Sequence, residues 1–362
     1  MSKLFQKRIL NLRKYLKNPN EAALLTNDVN IGYFTGFFRS EGYLLVTCES
    51  AFLLVDFRYY ESACQRAKGC EVVCFKSISE CIKEIIGKNG VELVSAEAEN
   101  LTVSRFGFLK KKLIEVNAEL TADGTLDKHI GEIRVVKDKT ELEKIASAQK
   151  IAEQAYLQML SEVRPGVTEK ELAARLEFYM KQRGAEDVSF DLITISGKKT
   201  SLPHGVPSDN IIRRGDFLTC DFGAVYEGYH SDTTRTVAVG SASEEMREIY
   251  EIVLKAQLAA LEKIKAGVPC SEVDKTARVI IKDAGYGDYF GHSTGHGVGL
   301  DIHERPFVSA KSKEILKEGM VITDEPGIYL PGKFGVRIED MVCVTGNGYH
   351  NFVDLPKELI II

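Results

Sequence analysis

A chain of 362 residues exceeds what one hydrophobic core usually serves, so two domains are expected, each able to bury its own apolar interior. Hydrophobic residues at 44%, charged residues at 27% and a formal net charge of -5 leave no basic excess to attract phosphate backbones, which argues against nucleic acid as a partner. No apolar run approaches the ~18 residues of a membrane span, and the eight cysteines form no CxxC pair, as suits reduced thiols in the cytoplasm.

Residues 2–17 are rich in Lys and Arg and place Phe5, Ile9, Leu12 and Leu16 on one helical face. A docked amphipathic first helix explains this better than a transit peptide. Short β-type runs follow at Ala22–Thr26, Tyr43–Thr47, Ala51–Asp56, Val72–Phe75 and Leu93–Ala96, with helical patterns over 58–68, 79–87 and 101–112. That reads as a small α/β domain. The polar stretch Asp123–Lys139 reads as a connector, and Thr140 to Glu143 as a capping box that starts a long helix. The expected domains are therefore 1–132 and 133–362.

The second part contains an internal repeat. Arg164-Pro165-Gly166-Val167 joins two helical patterns, the second opened by its own capping box from Thr168 to Glu171 and closed at Gly184. At a fixed offset of 101 residues, Gly166, Val167, Glu171, Lys181 and Gly184 recur as Gly267, Val268, Glu272, Lys282 and Gly285. Apolar positions of the preceding helices coincide at the same offset, as with Ile145 and Met246 or Ala155 and Ala256. Two equivalent helical pairs, each followed by β-type sequence, would fold as halves about a pseudo-two-fold with a cleft between their sheets.

Each half is followed by acidic strings. Asp221-Phe222-Gly223 and His230-Ser231-Asp232 flank a turn at Glu227-Gly228, so a hairpin could bring both aspartates together. Later come Gly295-His296-Gly297, Glu325-Pro326-Gly327 and Arg337-Ile338-Glu339. Four carboxylates in one cleft would repel one another unless two divalent cations neutralised them. Oxygen ligands with one imidazole and no thiolate favour Mn²⁺ or a similarly hard ion, with Co²⁺ or Zn²⁺ as alternatives.

These strings resemble the metallopeptidase family of aminopeptidase P, prolidase, methionine aminopeptidase and creatinase, over all of 133–362. The N-terminal segment, with Tyr33-Phe34-Thr35-Gly36-Phe37 and Asp56-Phe57-Arg58-Tyr59, resembles the extra domain that precedes the catalytic one in aminopeptidase P, prolidase and creatinase. The resemblance implies an α/β (α+β) fold: a creatinase-like N-terminal domain and a duplicated pita-bread catalytic domain. It implies two divalent metals per chain on Asp221, Asp232, His296, Glu325 and Glu339, and a homodimer. It also implies His303 and His292 as transition-state and substrate contacts and His204 as a substrate-orienting group. Glu325 would double as proton acceptor and shuttle. Arg337, two residues before Glu339 on an expected strand, should point the same way and brace a ligand carboxylate; a surface salt bridge is its plain alternative.

Two positions depart from the family pattern. Asp324 stands where relatives usually carry an aliphatic residue, and alternation should turn it from the metals. In His303-Glu304-Arg305-Pro306-Phe307, phenylalanine occupies the place where archaeal-type prolidases carry an arginine that meets a dipeptide's carboxylate. An aromatic there suits longer peptides, so the resemblance is read as an Xaa-Pro aminopeptidase, with an Xaa-Pro dipeptidase as the alternative and a non-catalytic binding protein on the same fold as the remaining one. The GxSxG string Gly291-His292-Ser293-Thr294-Gly295 lacks the strand and helix of a serine hydrolase elbow.

Overall fold

The structure, a computed structural model, describes residues 2–38 and 40–362. It divides into a first unit that ends at Arg134 and a second that spans Val135–Ile362.

The first unit runs α1 (Ser2–Arg13), β1 (Glu21–Leu25), α2 (Asp28–Thr35), β2 (Tyr43–Thr47), β3 (Ala51–Val55), α3 (Phe57–Arg66), β4 (Glu71–Cys74), α4 (Ile78–Lys88), β5 (Leu93–Ala96), α5 (Val103–Ile114), β6 (Glu119–Thr121) and α6 (Thr125–Arg134). Its six strands make one mixed sheet in the order β4-β3-β2-β1-β5-β6. The pairs β1/β2 and β2/β3 are antiparallel, and the outer pairs are parallel. The apolar runs become strands because they bury on both faces: Leu44, Leu45 and Val46 are inaccessible, as are Leu53, Leu54 and Val55. In α1 the predicted stripe packs through Ile9 and Leu12, and the buried Arg8 guanidinium lies 3.9 Å from the Tyr33 ring centre. The supposed connector differs from expectation. It is largely the helix α6, whose buried Leu126 and Ile130 sit at helical spacing inside an otherwise polar stretch.

In the second unit, α7 (Lys139–Leu160) and α8 (Glu169–Gln182) lead into β7 (Asp187–Val188), β8 (Ile193–Ser196), β9 (Phe217–Phe222), β10 (Ala224–Tyr226), β11 (Tyr229–His230) and β12 (Thr233–Ala238). Then α9 (Glu244–Lys263) and α10 (Cys270–Asp283) lead into β13 (Gly295–Gly297), β14 (Glu304–Val308), β15 (Val321–Asp324), β16 (Gly327–Leu330), β17 (Phe334–Arg337), β18 (Asp340–Val344) and β19 (Tyr349–Asn351). The strands form sheets ordered β11-β10-β7, β12-β9-β8, β14-β13-β15-β18-β19 and β16-β17.

The repeat is visible in the elements themselves. Helix α10 begins and ends 101 residues after α8. The paired glycines share left-handed backbone, with φ of 101° and 89° at Gly166 and Gly267 and of 97° and 90° at Gly184 and Gly285. The Thr168–Glu171 capping box is present as read. The other box is shifted: Asp138 caps α7, accepting from the Thr140 and Glu141 amides while the Glu141 carboxylate returns to the Asp138 amide. Asp caps as well as Thr does, and spacing alone ranked the wrong pair first.

Candidate metal centre and cavity

The first two acidic residues reach one end of the ladder between β9 and β12, where Asp221 stands opposite Thr234 and Asp232 immediately precedes β12. The turn Glu227-Gly228, with φ of 47° and 81°, closes the neighbouring β10/β11 hairpin. On the other half, His296 lies in β13, Glu325 follows β15, and Glu339 joins β17 to β18. The glycines around His296 are a steric requirement. A Cβ on Gly295 would lie 2.0 Å from the Thr323 carbonyl oxygen, and one on Gly297 would lie 2.2 Å from that of Arg305. Backbone bonds tie the acidic residues in place, from Glu325 N to Thr294 O (2.8 Å) and from Glu339 N to Thr234 O (3.1 Å).

Side chains converge where these ends meet. One ligand atom each from Asp232, His296 and Glu339 lies within 4.8 Å of the others. His296 Nε2 is 3.4 Å from Asp232 Oδ2 and 3.5 Å from Glu325 Oε1. His296 Nδ1 faces the Gly297 carbonyl at 3.1 Å, so this nitrogen carries the proton and Nε2 presents its lone pair to the carboxylates. Burial holds His296 below its ordinary pKa, against the pull of the Gly297 carbonyl and Asp221. Burial raises Asp232, Glu325 and Glu339, and for Asp232 and Glu339 the neighbouring carboxylates add to it.

Arg337 is buried and central. Nη2 donates to Asp221 Oδ2 (2.5 Å), Nε to Thr234 Oγ1 (3.0 Å) and Nη1 to Tyr329 OH (2.9 Å). Thr234 Oγ1 in turn donates to Glu339 Oε2 (2.7 Å). The surface salt bridge considered for Arg337 is therefore not what forms. Burial opposes its charge, but Tyr329 and the carboxylates Asp221, Glu325 and Glu339 raise its pKa well above the ordinary value. One guanidinium cannot neutralise four carboxylates, and Asp221 Oδ1 is buried without a hydrogen-bond partner. Unmatched negative charge, an orphaned oxygen and a lone-pair nitrogen among oxygen donors fit divalent metal.

Sequence reasoning did not single out Tyr329. His292 Nδ1 faces the Ser293 carbonyl at 2.8 Å, so it is the donor there, and the Tyr329 hydroxyl donates to Nε2 at 2.9 Å. Both ring nitrogens of His292 are thus engaged, and the ring is linked to Arg337 through Tyr329. The only local signal for Tyr329 is its place at the end of the Glu325-Pro326-Gly327 string.

Asp221, Asp232, His296, Glu325, Glu339 and Arg337 line a cavity of about 620 Å³, with Tyr329 behind its wall. His204, His292, His303 and Phe307 also line it, and its apolar wall includes Phe190, Leu192 and Val206. The His303 and His296 rings meet edge to face at 4.4 Å between centres. Arg305 is absent from the lining and pairs with Glu314 at 2.8 Å. Asp324 is also absent from the lining. It is fully buried opposite Asp340, both of its oxygens are unpartnered, and burial keeps its pKa well above the ordinary value. Gly291–Thr294 enter strand β13 with no helix after it, so no nucleophile elbow forms.

Residues 143–346 match Metallopeptidase family M24, and residues 8–136 match the Creatinase/Prolidase N-terminal domain. The chain is 43% identical to the Xaa-Pro dipeptidase of Pyrococcus furiosus, over 98% of this chain and 100% of that one. A solved Xaa-Pro dipeptidase from Bacillus anthracis superposes with a TM-score of 0.94 at 41% identity, covering 99% of this chain and 100% of the other. A solved X-Pro aminopeptidase from Thermotoga maritima MSB8 superposes with a TM-score of 0.90 at 38% identity, covering 97% and 99%.

Proposed function

Because the chain belongs to metallopeptidase family M24, with the pita-bread fold and a creatinase-type N-terminal domain, and is a metal-dependent peptide hydrolase, we propose that it cleaves Xaa-Pro dipeptides. The observation that carries this reading is full-length similarity above 40% identity to proteins named Xaa-Pro dipeptidase. It displaces the longer-peptide expectation drawn from Phe307. Proline calls for a dedicated pocket because its imide lacks an N–H and its ring fixes the backbone. The apolar wall beside the metal centre supplies a surface of that kind.

In this reading Asp221, Asp232, His296, Glu325 and Glu339 hold two divalent ions, Mn²⁺ by the hardness of the donor set. Bound there, such ions supply Lewis acidity and make water acidic enough to react at neutral pH. Glu325 accepts the proton from the attacking water on a carboxylate oxygen and returns it to the leaving nitrogen. His303 offers a donor to the oxygen that gains charge at the scissile carbonyl, and His292, its ring held by the Tyr329 hydroxyl behind it, contacts the substrate from the cavity wall. His204, exposed on the cavity wall, orients the peptide. A homodimer in the cytoplasm, with all eight cysteines as free thiols, completes the proposal. Among the described residues, no helix is long and apolar enough to cross a membrane.

A second reading, the Xaa-Pro aminopeptidase, keeps one specific support: Phe307 faces the cavity while Arg305 is held outside by Glu314. Comparing catalytic efficiency on an Xaa-Pro dipeptide with that on its tri- and tetrapeptide extensions decides between them. At least tenfold preference for the dipeptide is expected. Preference for the longer peptides would restore the aminopeptidase.

A further inference from the structure

Glu169 opens α8, lies outside the cavity lining and has a fully buried side chain. Its Oε1 accepts from Ser196 N (2.8 Å), Ser196 Oγ (3.1 Å) and Asn210 Nδ2 (3.0 Å). Its Oε2 accepts from Lys199 Nζ (2.6 Å), Ser208 N (3.0 Å) and Ser208 Oγ (2.9 Å). All six donors come from the single segment 196–210. That segment leaves β8, makes one 3₁₀ turn over Gly197–Ser201, and returns to the bridge between Thr168 and Ile211.

The same segment contributes the wall Pro203–Pro207, including His204, to the cavity. Leu202, His204 and Val206 are exposed, so the tip has little packing of its own to fix it. Its shape depends instead on its base, where Lys199 Nζ also spans the loop to the Val206 carbonyl at 2.7 Å. Only an ionised carboxylate can accept at both ends of this base, because an amide, whichever way it turns, sets its NH₂ donor against one of the two groups of donors. The loop also reaches the metal centre, since Arg337 Nη1 donates to Pro203 O at 3.3 Å.

We infer that Glu169 is a positioning residue for substrate: by gathering the 196–210 loop it sets where His204 and the Pro203–Pro207 wall stand opposite the carboxylate cluster. The inference rests on the cavity being the peptide site. It is tested on the full-length, Mn²⁺-loaded protein with an Xaa-Pro dipeptide, using Glu169→Gln, Lys199→Met and their combination, each with and without His204→Ala. For Glu169→Gln, the expected result is wild-type metal content, KM raised at least fivefold with a smaller fall in kcat, and faster hydrogen exchange over 197–210 with β9 and β12 unchanged. Adding Lys199→Met removes the half-buried cation and should recover melting temperature, while KM stays at least threefold above wild type because the loop still lacks the carboxylate that gathers it; KM back at the wild-type value would overturn the inference. In the His204→Ala background, Glu169→Gln should cost less than a further twofold, because the group being positioned is gone.

A folded, metal-replete Glu169→Gln protein with KM within twofold of wild type overturns the inference, as does an undiminished penalty in the His204→Ala background. If Glu169→Gln fails to fold, Lys199→Met alone is read in its place: raised KM with faster loop exchange supports the inference, and unchanged KM overturns it. A wild-type protein that cleaves no Xaa-Pro peptide refutes the proposed function, and exchange over 197–210 in Glu169→Gln then decides the Glu169 inference on its own.

Discussion

Arg337 Nη2 lies 2.5 Å from Asp221 Oδ2, and the same guanidinium holds the Thr234 hydroxyl that donates to Glu339. One buried cation therefore orients two carboxylates of the cluster, one directly and one through a hydroxyl. Lysine keeps the charge but loses the planar fork. Arg337→Lys should lower kcat by about 10- to 100-fold and weaken metal binding, the scale of losing a group that orients a ligand. Steady-state kinetics with metal titration checks this, and a loss under threefold would show that the fork is dispensable.

Removing metal should abolish hydrolysis, and adding Mn²⁺ should restore it. Asp232→Ala and Glu339→Ala should show no turnover while far-ultraviolet circular dichroism stays that of the wild type, because both residues sit at strand ends rather than in the apolar core. Metal analysis of the purified chain accompanies the assay. A fully folded protein that never takes up divalent metal would end the metallopeptidase reading.

Lys137 and Glu304 form an ion pair at 2.6 Å, with side chains only 1% and 12% exposed. Removing the Glu304 carboxylate leaves the buried Lys137 ammonium without its counter-charge in a water-poor site, which costs about 3–5 kcal/mol. Glu304→Met or Lys137→Met should each lower the melting temperature clearly. The double Met variant should recover most of the loss, since replacing a buried pair by apolar groups of similar volume is often neutral. Thermal denaturation of the three proteins gives the answer, and simple additivity would contradict it.

The pKa of Glu169 is lowered overall: burial pushes it up, but hydrogen bonds from Lys199, Asn210, Ser196 and Ser208 outweigh that. A carboxylate whose folded pKa is depressed stabilises the protein above its unfolded value, about 4.3. That stability is lost as pH falls through the folded pKa. The gap in melting temperature between wild type and Glu169→Gln should thus be full at neutral pH and begin to shrink below about pH 4.3. A gap that widens on acidification would reverse the assigned sign.

Ser293 lines the cavity but stands in no elbow, so Ser293→Ala should keep most of the activity. Total loss with metals still bound would revive a serine nucleophile.

Much of this architecture was legible in the linear chain because its causes are local. Helical periodicity and the Thr168–Glu171 cap located α8, and the offset of 101 residues set α10 at the same length. Close backbone approach explains why glycines flank His296, and the five acidic and imidazole strings could be read in order without any fold. Helix α6 was hidden because two buried positions in a polar stretch give a weak periodic signal. What the chain alone left open depends on contacts between distant residues. That Arg337 meets Asp221 across 116 positions, that Tyr329 links His292 to Arg337, that Phe307 faces the cavity while Glu314 holds Arg305 away, and that Glu169 gathers a loop about 30 residues on are all such contacts. Local periodicity determines which face of an element is apolar; only packing determines which polar groups then meet inside and which are left without a partner.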